Sequence, residues 1–206
     1  MKVSELFDEW RNYKPLDISL LTIATNGLKA EEDKIIAFSE FEVAKKNEVT
    51  YFNFTEGEEL EKSQQFHMIK PEVMRGFGFP EEAFKEHLMN VLKKDVIFVY
   101  NVPFFSRFIK ALFKDDDLHV PLYDISVVYK TVKSKYAFDD EQLNSFEDFY
   151  TACMAEVSPM PVGALCTQFK MSKDSSPGQY PFERMMQLLR KVFSEVSSLE
   201  LQRYQS

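Results

Sequence analysis

The chain has 206 residues, which suits one domain with a substantial core. Apolar residues make up 45% and 20 positions are Phe, while charged residues reach 28% with only 6 Gly and 9 Pro; this excludes disorder, collagen and low-complexity sequence. A net charge of −8, with scattered Lys and Arg, removes the usual electrostatic footprint of a strong nucleic-acid binder, although metal ions can offset acidity in enzymes that act on nucleic acid.

In chain order, "MKVSELFDEW" reads as an amphipathic helix start with Ser4 as its cap, and it lacks the apolar run of a signal sequence. "DISLLTIATNGL" is apolar and β-branched and ends in Asn-Gly, so it predicts a buried strand entering a turn. "DKIIAFSEFEV" predicts a second strand and "EVTYFNF" a third, completing a meander. "EGEELEK" and Asp115–Asp117 read as solvated acidic runs. Gly76 and Gly78 in "RGFGFP" open no phosphate loop and are expected to allow a turn. A helix follows over residues 80–94, with Phe84, Leu88, Val91 and Leu92 on one face and Pro80, Glu81 and Glu82 suiting its N-terminus.

"DVIFVYNV" predicts another buried strand, and "PFFSRFIKALF" a helix that turns Phe105, Phe108, Ile109 and Leu112 to one side. "VPLYDISVVYKTV" predicts a short strand running into a helix. The stretch "FDDEQLNSFEDFYTACMAEV" predicts a helix ended by "SPMP", and "VGALCTQFKM" another. The last helix, from Phe182, carries a stripe of Phe182, Met185, Met186, Leu189, Phe193 and Val196. Cys153 and Cys166 lie in no metal-binding spacing and read as buried free thiols of a reducing compartment. His87, off its helix's apolar stripe, is expected on the surface. No window is apolar for long enough to span a bilayer, so a soluble cytoplasmic protein without membrane contact is expected.

This order of segments resembles the DnaQ-like 3′–5′ exonucleases, the proofreading-subunit family of the ribonuclease-H-like fold. The family's first motif is a strand reading Asp-x-Glu-Thr-Thr-Gly-Leu, and "TIATNGL" keeps Thr25, Gly27 and Leu28. "HMIKPEVM" resembles the His-x-Ile-x-x-Glu element, whose position implies a structural turn role for His67, and "YNVPFF" the second motif, His-Asn-x-x-Phe-Asp, with Asn101, Pro103 and Phe104 in step. "PLYDISVVYKTV" looks like the Asp-Thr-x-x-Leu-Ala segment with Asp124 at its start, and "GQYPFERMMQLLRKVF" like the third motif and its long helix. The resemblance runs from about Pro15 to Val196 and implies a three-layer α/β/α domain around a mixed five-stranded sheet. One exonuclease-like domain over residues 1–206 is expected, with a helical insertion at 133–161.

The family uses four carboxylates and a general-base histidine to hold two divalent ions and activate water. Carried over position by position, the first-motif Asp becomes Thr22 and its Glu becomes Ala24. The second-motif Asp becomes Phe105 and its His becomes Tyr100, while the base His falls on Gly178 and the final Asp on Glu183. A methyl, a hydroxyl and an apolar ring cannot replace anionic ligands. The expectation is therefore a catalytically inactive domain with no cofactor, in which Glu183 is the one residual metal candidate and Asn26, Tyr100 and Asn101 are substrate contacts. It would act by binding a protein partner or a second copy of itself, the 133–161 segment being one route, with weak nucleic-acid binding as a further possibility. The alternative is a divergent 3′–5′ exonuclease that uses Mg or Mn held by Glu40 or Glu42 with Asp124 and Glu183. The bland readings are a solvent-facing strand for Glu40 and Glu42, a helix cap for Asp124 and a first-turn helix carboxylate for Glu183.

Overall fold

The computed structural model describes residues 17–54, 58–115, 117–134, 146–174 and 176–198. The helix start expected at Ser4 and the first part of the helix expected within 138–157 lie outside them. The meander is present as β1 (Ile18–Thr25), β2 (Ile35–Glu42) and β3 (Asn47–Asn53), paired antiparallel in sequence order. Two helices follow, α1 (Glu58–His67) and α2 (Pro71–Phe77), then a two-residue strand β4 (Gly78–Phe79) parallel to β3. The chain continues through α3 (Glu81–Leu92), β5 (Val96–Val99), α4 (Val102–Phe113), β6 (Leu122–Asp124) and α5 (Ile125–Ser134). It ends in α6 (Phe146–Glu156), α7 (Val162–Gln168) and α8 (Pro181–Ser198).

The sheet has six strands, not the five expected, in the order β4-β3-β2-β1-β5-β6, with β1, β5 and β6 parallel. The extra strand is β4, and it revises the reading of the glycine pair as a turn. Gly76 lies inside α2, whereas Gly78 is extended and pressed against the Met74 carbonyl and the Phe54 backbone, so that no Cβ fits there. Such close approach is what lets two residues add to the edge of β3.

Helices cover both faces. Alternate residues of a strand point to opposite sides, and β1 divides its side chains accordingly. Leu21 joins Phe38, Ile97 and Val99 beneath α3 and α4, meeting Phe84, Leu88, Phe105 and Phe108. Ile18 and Leu20 join Phe98 on the other face and meet α5 and α8 through Val128, Met186, Leu189 and Val192. Phe149 and Cys153 of α6 and Leu165 of α7 extend this second cluster. The "VIFV" of β5 is buried at all four residues, which explains its unbroken apolar run. Full burial of each Leu, Val or Phe side chain contributes about 1.5–3 kcal/mol before entropy is counted. Among the described residues no helix is long and apolar enough to cross a membrane.

Candidate functional site

Thr22 and Ala24 stand two residues apart on β1 and therefore share a face, the one that α8 covers. Ile18 and Leu20 on that face pack with Met186 and Leu189, and Ala24 packs with Phe182. Thr22 is only 2% exposed and Ala24 only 7%. Beside Thr22 across the ladder lies Ser39, whose hydroxyl is 2.5 Å from that of Thr50 on β3. Thr22 Oγ1 has no hydrogen-bond partner among the described residues. This face therefore presents neutral hydroxyls and methyls where two-metal chemistry requires anionic oxygens.

Past Ala24 the chain makes the glycine turn. Asn26 is tied to Lys34 twice: its amide N–H donates to the Lys34 carbonyl at 3.1 Å, and its Oδ1 accepts from the Lys34 N–H at 2.6 Å. The Thr25 hydroxyl donates to the Gly27 carbonyl at 2.6 Å. The Asp33 carboxylate accepts from the Lys29 N–H at 2.8 Å and lies where a Cβ on Gly27 would go. Opposite the turn, His67 ends α1. It is buried, its Nδ1 accepting from the Ile69 N–H at 3.0 Å and its Nε2 lying 3.2 Å from the Ser63 hydroxyl, so it acts as the turn residue expected.

Between these parts opens a cavity of about 310 Å³, lined by residues 23–28 together with Phe66, His67, Pro181 and Phe182. Leu28 and Phe66 stand on its rim, 77% and 72% exposed. Asn26 lines it, whereas Tyr100 and Asn101 do not.

The remaining positions are occupied by structural work. Glu183 Oε2 accepts from the Tyr180 N–H at 3.0 Å, the reciprocal half of a capping box at the start of α8. Burial, and then the Glu183 charge, raise the Tyr180 phenol above its usual range. Gly178 sits in an exposed turn with φ of +81°, a left-handed conformation that glycine adopts freely. The Tyr100 hydroxyl donates to the Met160 carbonyl at 3.1 Å, and burial raises its phenol. Asn101 is left-handed at φ 67° and caps α4 by accepting from the Phe104 N–H at 3.2 Å. Asp124 is 1% exposed. Its Oδ2 accepts from the Asn101 N–H at 2.9 Å, and its Oδ1 from the Ser126 N–H and hydroxyl at 2.9 and 2.6 Å. Phe105 is 5% exposed and packs into the α3–α4 core, not into the lining of the cavity.

Glu40 and Glu42 lie away from this face. Glu40 pairs directly with Leu21 across the ladder and so shares the α3–α4 side, where it accepts from the Ser19 hydroxyl at 2.5 Å. Glu42 meets Lys45 at 3.0 Å and Lys94 at 3.5 Å, and the Lys45 hydrogen bond holds its carboxyl below the usual range. His87 is half-buried and not a surface residue, stacked on Tyr51 at 4.5 Å and edge-on to Phe79 at 4.9 Å. Cys166 faces Arg184, whose Nη2 donates to its Sγ at 3.3 Å. Sequence reasoning missed Phe66 and Arg184. Phe66 is a single aromatic in a polar stretch, and Arg184 is an interior arginine on an amphipathic helix; neither leaves a periodic signal. Among the described residues no group of three or more His, Cys, Asp or Glu could hold a metal ion. The donors present therefore do not fit the divalent pair that the family resemblance implies.

No protein-family model and no curated protein sequence matches the chain. Solved structures do. Exonuclease I of E. coli in complex with a dT13 oligonucleotide superposes with a TM-score of 0.59 at 14% identity, over 88% of this chain and 41% of that one. The zinc-bound E. coli exonuclease I complex with single-stranded DNA gives 0.55 at 13% identity, over 87% and 39%. Apo exonuclease I gives 0.53 at 14% identity, over 86% and 43%. The chain thus has an exonuclease fold and spans less than half the length of these neighbours.

Proposed function

We propose that the chain is a DnaQ-like exonuclease domain that has lost its metal pair and works by binding, without cutting phosphodiesters. The observation that carries this reading is the α8-facing side of β1, where Thr22 and Ala24 are buried next to the Ser39 hydroxyl and the Phe182 ring. Glu183, the one carboxylate at a family ligand position, is committed to the α8 cap, and Asp124 spends its oxygens on three donors. A divergent exonuclease using Glu40 or Glu42 would need ligands from both faces of one sheet, which a single ion pair cannot reach. The reading includes one domain with 133–161 as an added segment, a cytoplasmic setting, and a protein partner or second copy as the bound species.

Calorimetric titration with Mn²⁺, beside an assay on 3′-labelled single-stranded DNA, tests it. The expected result is no saturable cation binding and no trimming. Metal-stimulated removal of 3′ nucleotides that disappears in Glu183→Ala would overturn it.

A further inference from the structure

The cavity beside the glycine turn has a composition that says what it can hold. Among the described residues its lining contains no Lys, Arg, Asp or Glu: Ile23, Ala24, Leu28, Phe66, Pro181 and Phe182 supply apolar wall, and Thr25, Asn26 and His67 supply the polar atoms. A phosphate there would find no cation to offset it, in a chain whose net charge is −8. At about 310 Å³ the cavity is at the small end of ligand sites, with room for a ring together with the chain atoms next to it. Leu28 and Phe66 stand out of the surface at its mouth, at 77% and 72% exposure, and would be covered by whatever enters. Asp33 lies against Gly27 of the lining and Glu183 follows Phe182 on α8, so negative charge adjoins the apolar wall.

From this we infer that the cavity is a docking site for one aromatic side chain of a partner protein, presented on a segment with basic residues beside the ring. This inference rests on the reading above that the cleft holds no metal pair. The ring enters the cavity against Ala24 and Phe182, Leu28 and Phe66 flank it at the mouth, and the neighbouring cations meet Asp33 and Glu183. An anchor of this kind, an aromatic group in a desolvated pocket with charge at the rim, is the usual energetic centre of a protein interface.

The full chain, labelled at its methyl groups, would be titrated by NMR with the capped peptide Lys-Lys-Phe-Lys, with its counterpart Lys-Lys-Ala-Lys, and with an oligothymidylate. The Phe peptide is expected to shift the Ile23, Ala24 and Leu28 methyl signals saturably, and the Ala peptide to bind at least about tenfold more weakly. Leu28→Ser and Phe66→Ser should each weaken the Phe peptide by about tenfold without moving the thermal midpoint, because both side chains are exposed. Equal binding of both peptides, no methyl shift at millimolar peptide, or displacement of the peptide by oligothymidylate in a salt-dependent way would each overturn the inference. A Mn²⁺ titration of the same sample separates the two readings. Cation binding there would sink the metal-free cleft, whereas peptide failure without cation binding would sink only the docking site.

Discussion

Glu183 is the residue on which the structural and the catalytic readings disagree most sharply, and two substitutions separate them. In the structure its Oε2 accepts the Tyr180 N–H at 3.0 Å, and its charge sits in the first turn of an 18-residue helix. Removing a cap of this type costs about 0.5–2 kcal/mol, and losing a first-turn charge about 0.3–1 kcal/mol. Glu183→Ala loses both contributions, about 1–3 kcal/mol, which for a domain of this size lowers the thermal midpoint by about 2–12 °C. Glu183→Gln keeps an oxygen acceptor and loses only the charge, so its midpoint should fall less than that of Glu183→Ala, by no more than about 4 °C. Thermal unfolding followed by circular dichroism, with and without manganese, measures all of this. The metal-free reading requires the same manganese response, none, in all three proteins. The reasoning is refuted if Gln proves as damaging as Ala, or if manganese stabilises the wild type and fails to stabilise either variant.

Other consequences follow from the packing and the charges. Asp124→Ala strands three donors in a site only 1% exposed, and urea unfolding should record a loss of about 3 kcal/mol or more. Phe84→Ala removes a fully buried ring that meets Phe38 edge-on at 5.2 Å, and should cost about 3–5 kcal/mol by the same measurement. The Glu42 carboxyl is held below its usual 4.5, first by Lys45, so its contribution is complete above pH 4.5 and is lost as pH falls below that value. The acid limb of a stability–pH curve should therefore become shallower in Glu42→Gln. Lys94 moves the other way: burial pulls its pKa down, but the Asp17 and Glu42 pairings outweigh this and raise it above 10.5. Its contribution is present below pH 10.5 and fades as pH climbs past it, so Lys94→Met should flatten the alkaline limb. Cys153 is fully buried and its thiol is pushed up to about 12, so a thiol reagent at pH 8 should leave it unmodified until the protein unfolds.

Strongly periodic elements were legible from sequence because burial and period coincide in them. The β1–β3 meander, the Phe84–Leu92 face of α3 and the long stripe of α8 all follow their hydrophobic patterns. What escaped was weakly patterned. The run "EGEELEK" reads as solvated acidic surface, and its pattern gives no sign of α1, the helix that begins within it at Glu58. β4 is two residues long and depends on Gly78 having no side chain, a condition that only the neighbouring Phe54 and Met74 backbone reveals. The candidate site was legible in its identities and much less so in its geometry. Composition alone shows that Thr22 and Ala24 carry no charge, but the facing of a side chain depends on pairing and helix phase. Those are tertiary facts. They put Glu40 on the side of Leu21 and turn Phe105 into the α3–α4 core.

The burial of Thr22 and Ala24 has a consequence for how this fold could change. With 2% and 7% of their surfaces open, carboxylates placed at these two positions would meet solvent-free walls before a cation could compensate them. On the proposed reading of a metal-free cleft, each substitution toward a carboxylate pair would first produce a less stable protein, so stability would act as a one-way ratchet against gaining metal ligands there.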